Sequence, residues 1–438
     1  MQKLSLHKRP PASNLYEYAF APVPQNQRKK SMNLFYVLTG YTSALSCLVI
    51  GSKLGAAMPF WQAIAACALG DLVLILIGTG MGILSARSGW STAFLSQKVL
   101  GKSTSVVFSL LIICCSIFWI GLNGSLFTSM LISVFPIWPL PVAVTCLIII
   151  ALWALSAANG WRGLMLASRV VVPCALILLI YSMIRLFIKM GGVDFLFSAP
   201  TVAPMSLAAA STAIIGNYVF GCIITPDTCR FAKSPKSVAF VCPPAYTIGL
   251  FVFNVCGVIV AKAGGFSDFI RSTAAIGLML PMLLCAIFCL ATTQNINIYG
   301  GSLAMQNIFH GTAFEGNVSH KVTAYIIAGL AAALSVSGIG KYLIPVVSSF
   351  SILMVPLPGM LLAEAVFFHN RSHQSGFRWQ SIIIWVLGSL SGFFFSISVC
   401  QLPLFGHCCF PSLATFSSTR LPTEKSILKT ELKGCCSN

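Results

Sequence analysis

Long apolar runs separated by short polar breaks organise this chain. A helix needs about 20 apolar residues to cross a bilayer core. Eleven runs approach that length: 33–55, 59–84, 104–134, 139–158, 164–187, 205–225, 238–262, 277–307, 321–338, 342–366 and 379–400. The breaks are short, so the pattern predicts one polytopic helical domain at 32–400, an arm at 1–31 and a tail at 401–438.

Three runs carry polar residues where a plain anchor would be apolar throughout. The first contains Thr39-Gly40, Thr42-Ser43 and Ser46; the sixth has Gly216-Asn217-Tyr218 at its centre; the eighth has Thr292-Thr293-Gln294-Asn295-Ile296-Asn297. Such residues can bond the preceding turn or a neighbouring helix. Three of them in one chain point instead to broken helices around a mid-membrane site, where freed backbone groups meet a substrate and a cation. The first and sixth runs are five apart, the spacing of corresponding helices in two five-helix inverted repeats. The physical reading is a secondary transporter.

Composition agrees with a membrane protein and excludes other classes. Of 438 residues, 57% are apolar and 8% charged, against roughly a quarter charged in soluble domains; mean hydropathy is +0.88. The formal charge of +18 would suggest nucleic acid in a soluble protein, but here it tracks the loops. With the N-terminus inside, sixteen Lys and Arg fall on the cytoplasmic side, including Arg28, Lys29, Arg87, Arg162, Arg230 and Lys236; six fall outside, at Lys53, Arg185, Lys189, Lys262, Arg271 and Lys341. The bias predicts a cytoplasmic N-terminus in the cytoplasmic membrane, with no nucleic acid as partner. The first 30 residues lack the apolar core of a signal peptide, so a retained arm is expected. The seventeen cysteines show no C-x-x-C pair or zinc spacing and read as small apolar residues. With no Walker A motif, an ATP-driven pump is not expected. With no His/Asp/Glu set at one depth, neither is an enzyme, and no catalytic residue or cofactor is assigned.

The order of several short stretches is similar to one known family. Ala21-Pro22-Val23-Pro24-Gln25 with Arg28-Lys29 precedes the first run; Gly51, Leu54-Gly55 and Ser85-Ala86-Arg87-Ser88-Gly89 follow. Thr225-Pro226-Asp227 with Arg230-Phe231 closes the sixth; Thr292-Thr293-Gln294-Asn295, Tyr299 and Asn307-Ile308 mark the eighth; Pro356, Pro358, Gly359 and Glu364 mark the tenth. Together these resemble the nucleobase–cation-symport-1 family of purine–cytosine permeases over roughly residues 20–400. The resemblance implies an all-α, leucine-transporter-like fold of five plus five inverted repeats, with 11 spans here and 12 in the family. It implies a symporter that imports cytosine or a related nucleobase by alternating access, with Na+ or H+ as coupling ion.

The family's cation site falls on Gly40, Ser43, Thr292 and Thr293, which would be oxygen ligands for sodium; Cys289 stands where the family has an Asn, and a thiol is a poor sodium ligand. The family's stacking aromatic matches Trp119. Ser116, Asn217-Tyr218 and Gln294 take the places of a Gln, a Ser-Phe pair and an Asn that read the base. The implied pocket is aromatic faces with amides at the edge. These changes leave open another heterocycle, such as hydroxymethylpyrimidine, a purine or a hydantoin, or a transport-inactive protein that keeps the fold.

Asp71, near the middle of the second run, is a candidate for proton coupling or for a hydrogen-bonded carboxyl facing another helix. Asp227 and Arg230 read as a loop-ordering ion pair or gate element. Residues 401–438 lack the family's twelfth helix and read as a divergent ending.

Overall fold

The computed structural model describes residues 17–19, 21–310, 312, 318–337, 353–367 and 379–401. They form helices α1 (Ser31–Thr42), α2 (Leu45–Ala57), α3 (Phe60–Ser88), α4 (Thr92–Leu100), α5 (Lys102–Val134), α6 (Val142–Ala157), α7 (Gly160–Met190) and α8 (Leu207–Cys229). There follow α9 (Pro235–Tyr246), α10 (Phe253–Gly264), α11 (Phe269–Ala275), α12 (Met279–Phe309), α13 (His320–Val336), α14 (Pro356–Phe367) and α15 (Trp379–Gln401). Among the described residues six helical spans are long and apolar enough to cross a membrane, and the bent pair α1–α2 makes a seventh. Shorter apolar helices occupy the fourth, ninth and eleventh runs; of the tenth, only its latter part lies within the described residues. The tail from 402 onward lies outside them.

Helix ends follow local chemistry. Ser206 and Asp268 accept backbone N–H groups at the starts of α8 and α11, the usual role of short oxygen side chains there. Leucines and isoleucines cover the outward faces, among them Leu69, Leu72 and Leu76 of α3 and Ile177, Ile180 and Ile184 of α7. In lipid that exposure costs nothing, whereas every backbone polar group must find a partner within the protein. The inward faces form one continuous core. α3 packs along α8, α2 against α10, and α12 against α5 and α7.

The first run is broken, as the sequence predicts. α1 and α2 meet at a 50° bend, where Ser43 and Ala44 leave helical geometry. Two other breaks expected from the sequence are absent: the sixth run is the unbroken α8 and the eighth the unbroken α12. The physical reason is that their polar side chains find partners on neighbouring helices, Asn217 at Cys47 of α2 and Asn295 at Ser156 of α6. Their polar side chains leave sideways while the i→i−4 ladder continues. The seventh run departs from regularity instead, with a π-helical segment at Thr247–Val252. Gly249 of this segment lies against the break, and a Cβ there would collide with Thr42.

The two sets of cations lie at opposite ends of the bundle. Arg28 donates to the Ala86 and Ala232 carbonyls, at the exits of α3 and α8. Lys189 and Lys262 donate to Ile276 and Ser198 at the far end.

Candidate functional site

The α1–α2 break leaves carbonyls without helical partners, and α8 and α12 bring hydroxyls to them. Thr292 donates to the Gly40 carbonyl at 2.6 Å. Thr293 and the Tyr218 phenol donate to that of Tyr41 at 3.3 and 2.8 Å. Both threonines also bond the Cys289 carbonyl. Ser43 turns its own hydroxyl back to Thr39. The Cys289 thiol points the other way, 3.9 Å from Cys285. The oxygens gathered at the break, from Gly40, Tyr41, Thr292 and Thr293, are those that could hold a hard cation.

Beside the break lies a narrow cavity lined by Tyr41, Ala44, Ser46, Trp119, Asn123, Asn217, Tyr218, Phe220, Gly221, Thr293 and Asn297. Tyr41 and Tyr218 stack with ring centres 6.3 Å apart. The Tyr41 phenol is fixed by Thr225 and Tyr246. Three amides face the space. Asn123 donates to the Trp119 carbonyl at 2.8 Å, Asn217 to the Cys47 sulfur at 3.7 Å, and Asn297 to Gln294 Oε1 at 3.1 Å. A planar ring with polar edges suits such a space: aromatic faces for its π-system and amides for its edge.

Of the substrate residues named from the sequence, Trp119, Asn217 and Tyr218 line this cavity, as does Thr293 from the cation set. Ser116 and Gln294 do not. α12 closes on α5 at Ser116, where a Cβ on Gly301 would lie 2.9 Å from the serine, so its buried hydroxyl has no partner there. Gln294 sits about 100° round the helix from Thr293; it bonds Asn297, and its Nε2 is buried without a partner. Sequence reasoning missed Asn123, and placed Asn297 in the eighth run's polar cluster without giving it a role. Each stands four residues after a residue it did name, Trp119 and Thr293, and therefore on the same helix face.

At the Arg28 end of the bundle lies a buried polar cluster. Arg230, fully buried, donates to the Tyr299 phenol at 2.6 Å, to the Glu17 and Tyr18 carbonyls at 2.7 and 3.1 Å, and to its neighbour Asp227 only through the backbone oxygen. The Asp227 carboxylate instead accepts the Thr92 amide at 2.8 Å, at the start of α4. A simple Asp227–Arg230 pair is therefore replaced by ties to separate elements. The Glu17 carboxylate accepts from Tyr299 and from the Trp161 amide at the start of α7. There Gly160 has φ +60°, and any Cβ would strike Glu17. Burial pushes the Glu17 carboxyl above its ordinary value, with Arg230 opposing.

Among the described residues no group of three or more His, Cys, Asp or Glu is placed to hold a metal ion. The family profile described as "Permease for cytosine/purines, uracil, thiamine, allantoin" matches residues 22–407. The cytosine permease of Escherichia coli strain K12 is 24% identical over 384 residues, covering 86% of this chain and 88% of that protein. Among solved structures, Mhp1, a nucleobase-cation-symport-1 family transporter in a closed conformation with bromovinylhydantoin bound, aligns with a TM-score of 0.71. The identity is 14%, with 89% of this chain and 97% of that one covered. A Na+-coupled sialic acid symporter aligns with a TM-score of 0.61 at 10% identity, covering 85% and 90%.

Proposed function

The chain belongs to the permease family for cytosine/purines, uracil, thiamine and allantoin, and from that premise we propose that it is a cation-coupled symporter importing cytosine or a closely related nucleobase. The observation that carries this reading is the cavity beside the α1–α2 break, which combines aromatic faces with three amides. The base stacks on Trp119 and Tyr218, while Asn123, Asn217 and Asn297 bond its edge. An unmatched buried donor or acceptor costs about 1–3 kcal/mol, so these amides set which base is admitted. The coupling cation sits at the break near Gly40, Ser43, Thr292 and Thr293. Thr292 and Thr293 tie α12 to the α1–α2 break, so ion binding there reports on the same joint that the base touches.

In this reading residues 32–400 are the transport unit, the arm at 1–31 and the Arg230 cluster are cytoplasmic, and the membrane is the cytoplasmic one. Substrate enters from the Lys189–Lys262 side, and opening of the Glu17–Arg230–Tyr299 cluster releases it. Uptake of radiolabelled bases by a permease-deficient strain, with and without sodium, tests the reading. Saturable uptake competed by cytosine or a related base is expected; absence of saturable uptake of any base contradicts it and leaves a transport-inactive member of the family.

A further inference from the structure

Among the described residues, Asp71 is the acidic side chain set near the middle of a membrane-crossing helix. It lies on α3 where α2, α8 and α10 converge, and it is 1% exposed. Its carboxyl oxygens receive the Asn254 Nδ2 of α10 at 3.2 and 3.0 Å. The Oδ1 of the same amide is buried and has no partner. The other titratable side chains acting with it are thiols: Cys47 of α2, Cys67 of α3 itself and Cys222 of α8. From α9, Tyr246 and Cys242 belong to the packing further along α3, where Tyr246 meets Gly78. From α14, Leu362 meets α3 at Gly80, likewise beyond Asp71. The interactions that act on the carboxyl are its burial and the bond to Asn254; no cation is among them.

This arrangement is lopsided for a carboxylate and balanced for a carboxylic acid. An ionised Asp71 is a buried charge with one amide for compensation, the costly case in a membrane interior, and it leaves Asn254 Oδ1 orphaned. A neutral Asp71 can donate its O–H to that oxygen while the amide N–H donates to the other carboxyl oxygen. The orphaned Asn254 Oδ1 then has a donor, and no charge is buried.

We propose that Asp71 and Asn254 form a proton-binding site of the carrier, loaded from the compartment to which the protein opens and emptied on the other side. The proposal rests on the transport reading above and deepens it by adding a proton, bound apart from the cation at the α1–α2 break, as a coupling ion. On loading, an O–H bond forms on Asp71 and the carboxylate charge disappears. On release that bond breaks, the proton passes to water of the opposite compartment, and the charge returns.

The site is joined to the cavity in two ways. Asn217 donates to Cys47, which lies within electrostatic reach of Asp71. Gly70, its neighbour on α3, packs so tightly on Ile214 of α8 that an added Cβ would lie 2.8 Å from it. A shift of α8 as Asn217 and Tyr218 engage a base is therefore felt at Asp71.

Full-length protein in liposomes, loaded with a pH-sensitive dye, tests this with Asp71→Asn and Asp71→Glu. Base counterflow without a gradient is measured beside accumulation driven by an imposed pH gradient. In Asp71→Asn the proposal expects loss of gradient-driven accumulation and of base-induced proton entry, each judged against that variant's own counterflow. Asp71→Glu should restore proton entry with a displaced pH midpoint. Proton entry and accumulation in Asp71→Asn equal to wild type overturn the proposal. If Asp71→Asn does not fold, infrared spectra of the wild-type protein across pH decide. A buried protonated carboxyl band, displaced in Asn254→Leu, supports the site, and its absence at every pH overturns it. Wild-type protein without counterflow of any base refutes the transport reading instead, and the infrared band still decides the proton site on its own.

Discussion

Trp119 shows what a single residue contributes. Trp119 is 6% exposed and lines the cavity, and the Asn123 amide one turn on bonds its backbone carbonyl. Stacking a base on an aromatic ring is worth on the order of 1–3 kcal/mol, so Trp119→Ala should weaken base binding roughly ten- to hundredfold. Equilibrium binding of radiolabelled base measures it; unchanged affinity would remove Trp119 from the site. The lining aromatics Trp119 and Tyr218 and the amide of Asn217 were legible through the family resemblance, which matched them to its stacking aromatic and its sixth-run pair. The exclusion of Ser116 was not, because the close approach of Gly301 is a property of two helices meeting, and a single helix wheel does not contain it. Asn123 was readable only as a fourth neighbour of Trp119.

At the scale of elements, the α2–α10 contact depends on small residues. A Cβ on Gly51 would lie 2.0 Å from the Asn254 carbonyl oxygen, and one on Gly257 would lie 2.3 Å from that of Leu48. The Gly51–Gly55 spacing lets membrane helices approach closely. Gly51→Ala should therefore force the helices apart at a cost of about 1–3 kcal/mol. It should lower the unfolding temperature in detergent, whereas Gly329→Ala, with nothing within 4 Å of its Cβ, should not. Equal temperatures for the two variants would contradict this packing. The sixth and eighth runs were misread as broken because polar residues inside an apolar helix have two outlets. The side chain can turn toward a neighbour, or the backbone can unwind, and composition does not distinguish them. The π segment at Thr247–Val252 left no periodic trace; it lies where Gly249 fits beneath Thr42 of a helix some 200 residues earlier in the chain.

For the whole molecule, two ends and a joint define the transport cycle. The separation of cations into two ends was legible in the sequence, since loop charge follows topology. The cluster at the Arg28 end was not, because it assembles Glu17, Trp161, Arg230 and Tyr299 from four distant stretches. Burial there raises the Glu17 carboxyl above its ordinary 4.5. A group with a raised value binds its proton more readily in the closed arrangement than in solvent. Closure is therefore favoured as pH falls through the window between the raised value and 4.5, fully so below it, and loses that contribution as pH rises. Labelling of a cysteine placed at this end should slow as pH falls through the window, and Glu17→Gln should flatten the dependence; an unchanged profile would contradict the role of Glu17. The central claim, coupled movement of a nucleobase through the cavity beside the broken first span, is tested most directly in proteoliposomes holding the full-length protein. An imposed inward cation gradient should drive radiolabelled cytosine or a related base above its equilibrium level, and collapsing the gradient should release it. Base movement that only equilibrates, or none at all, would contradict the account.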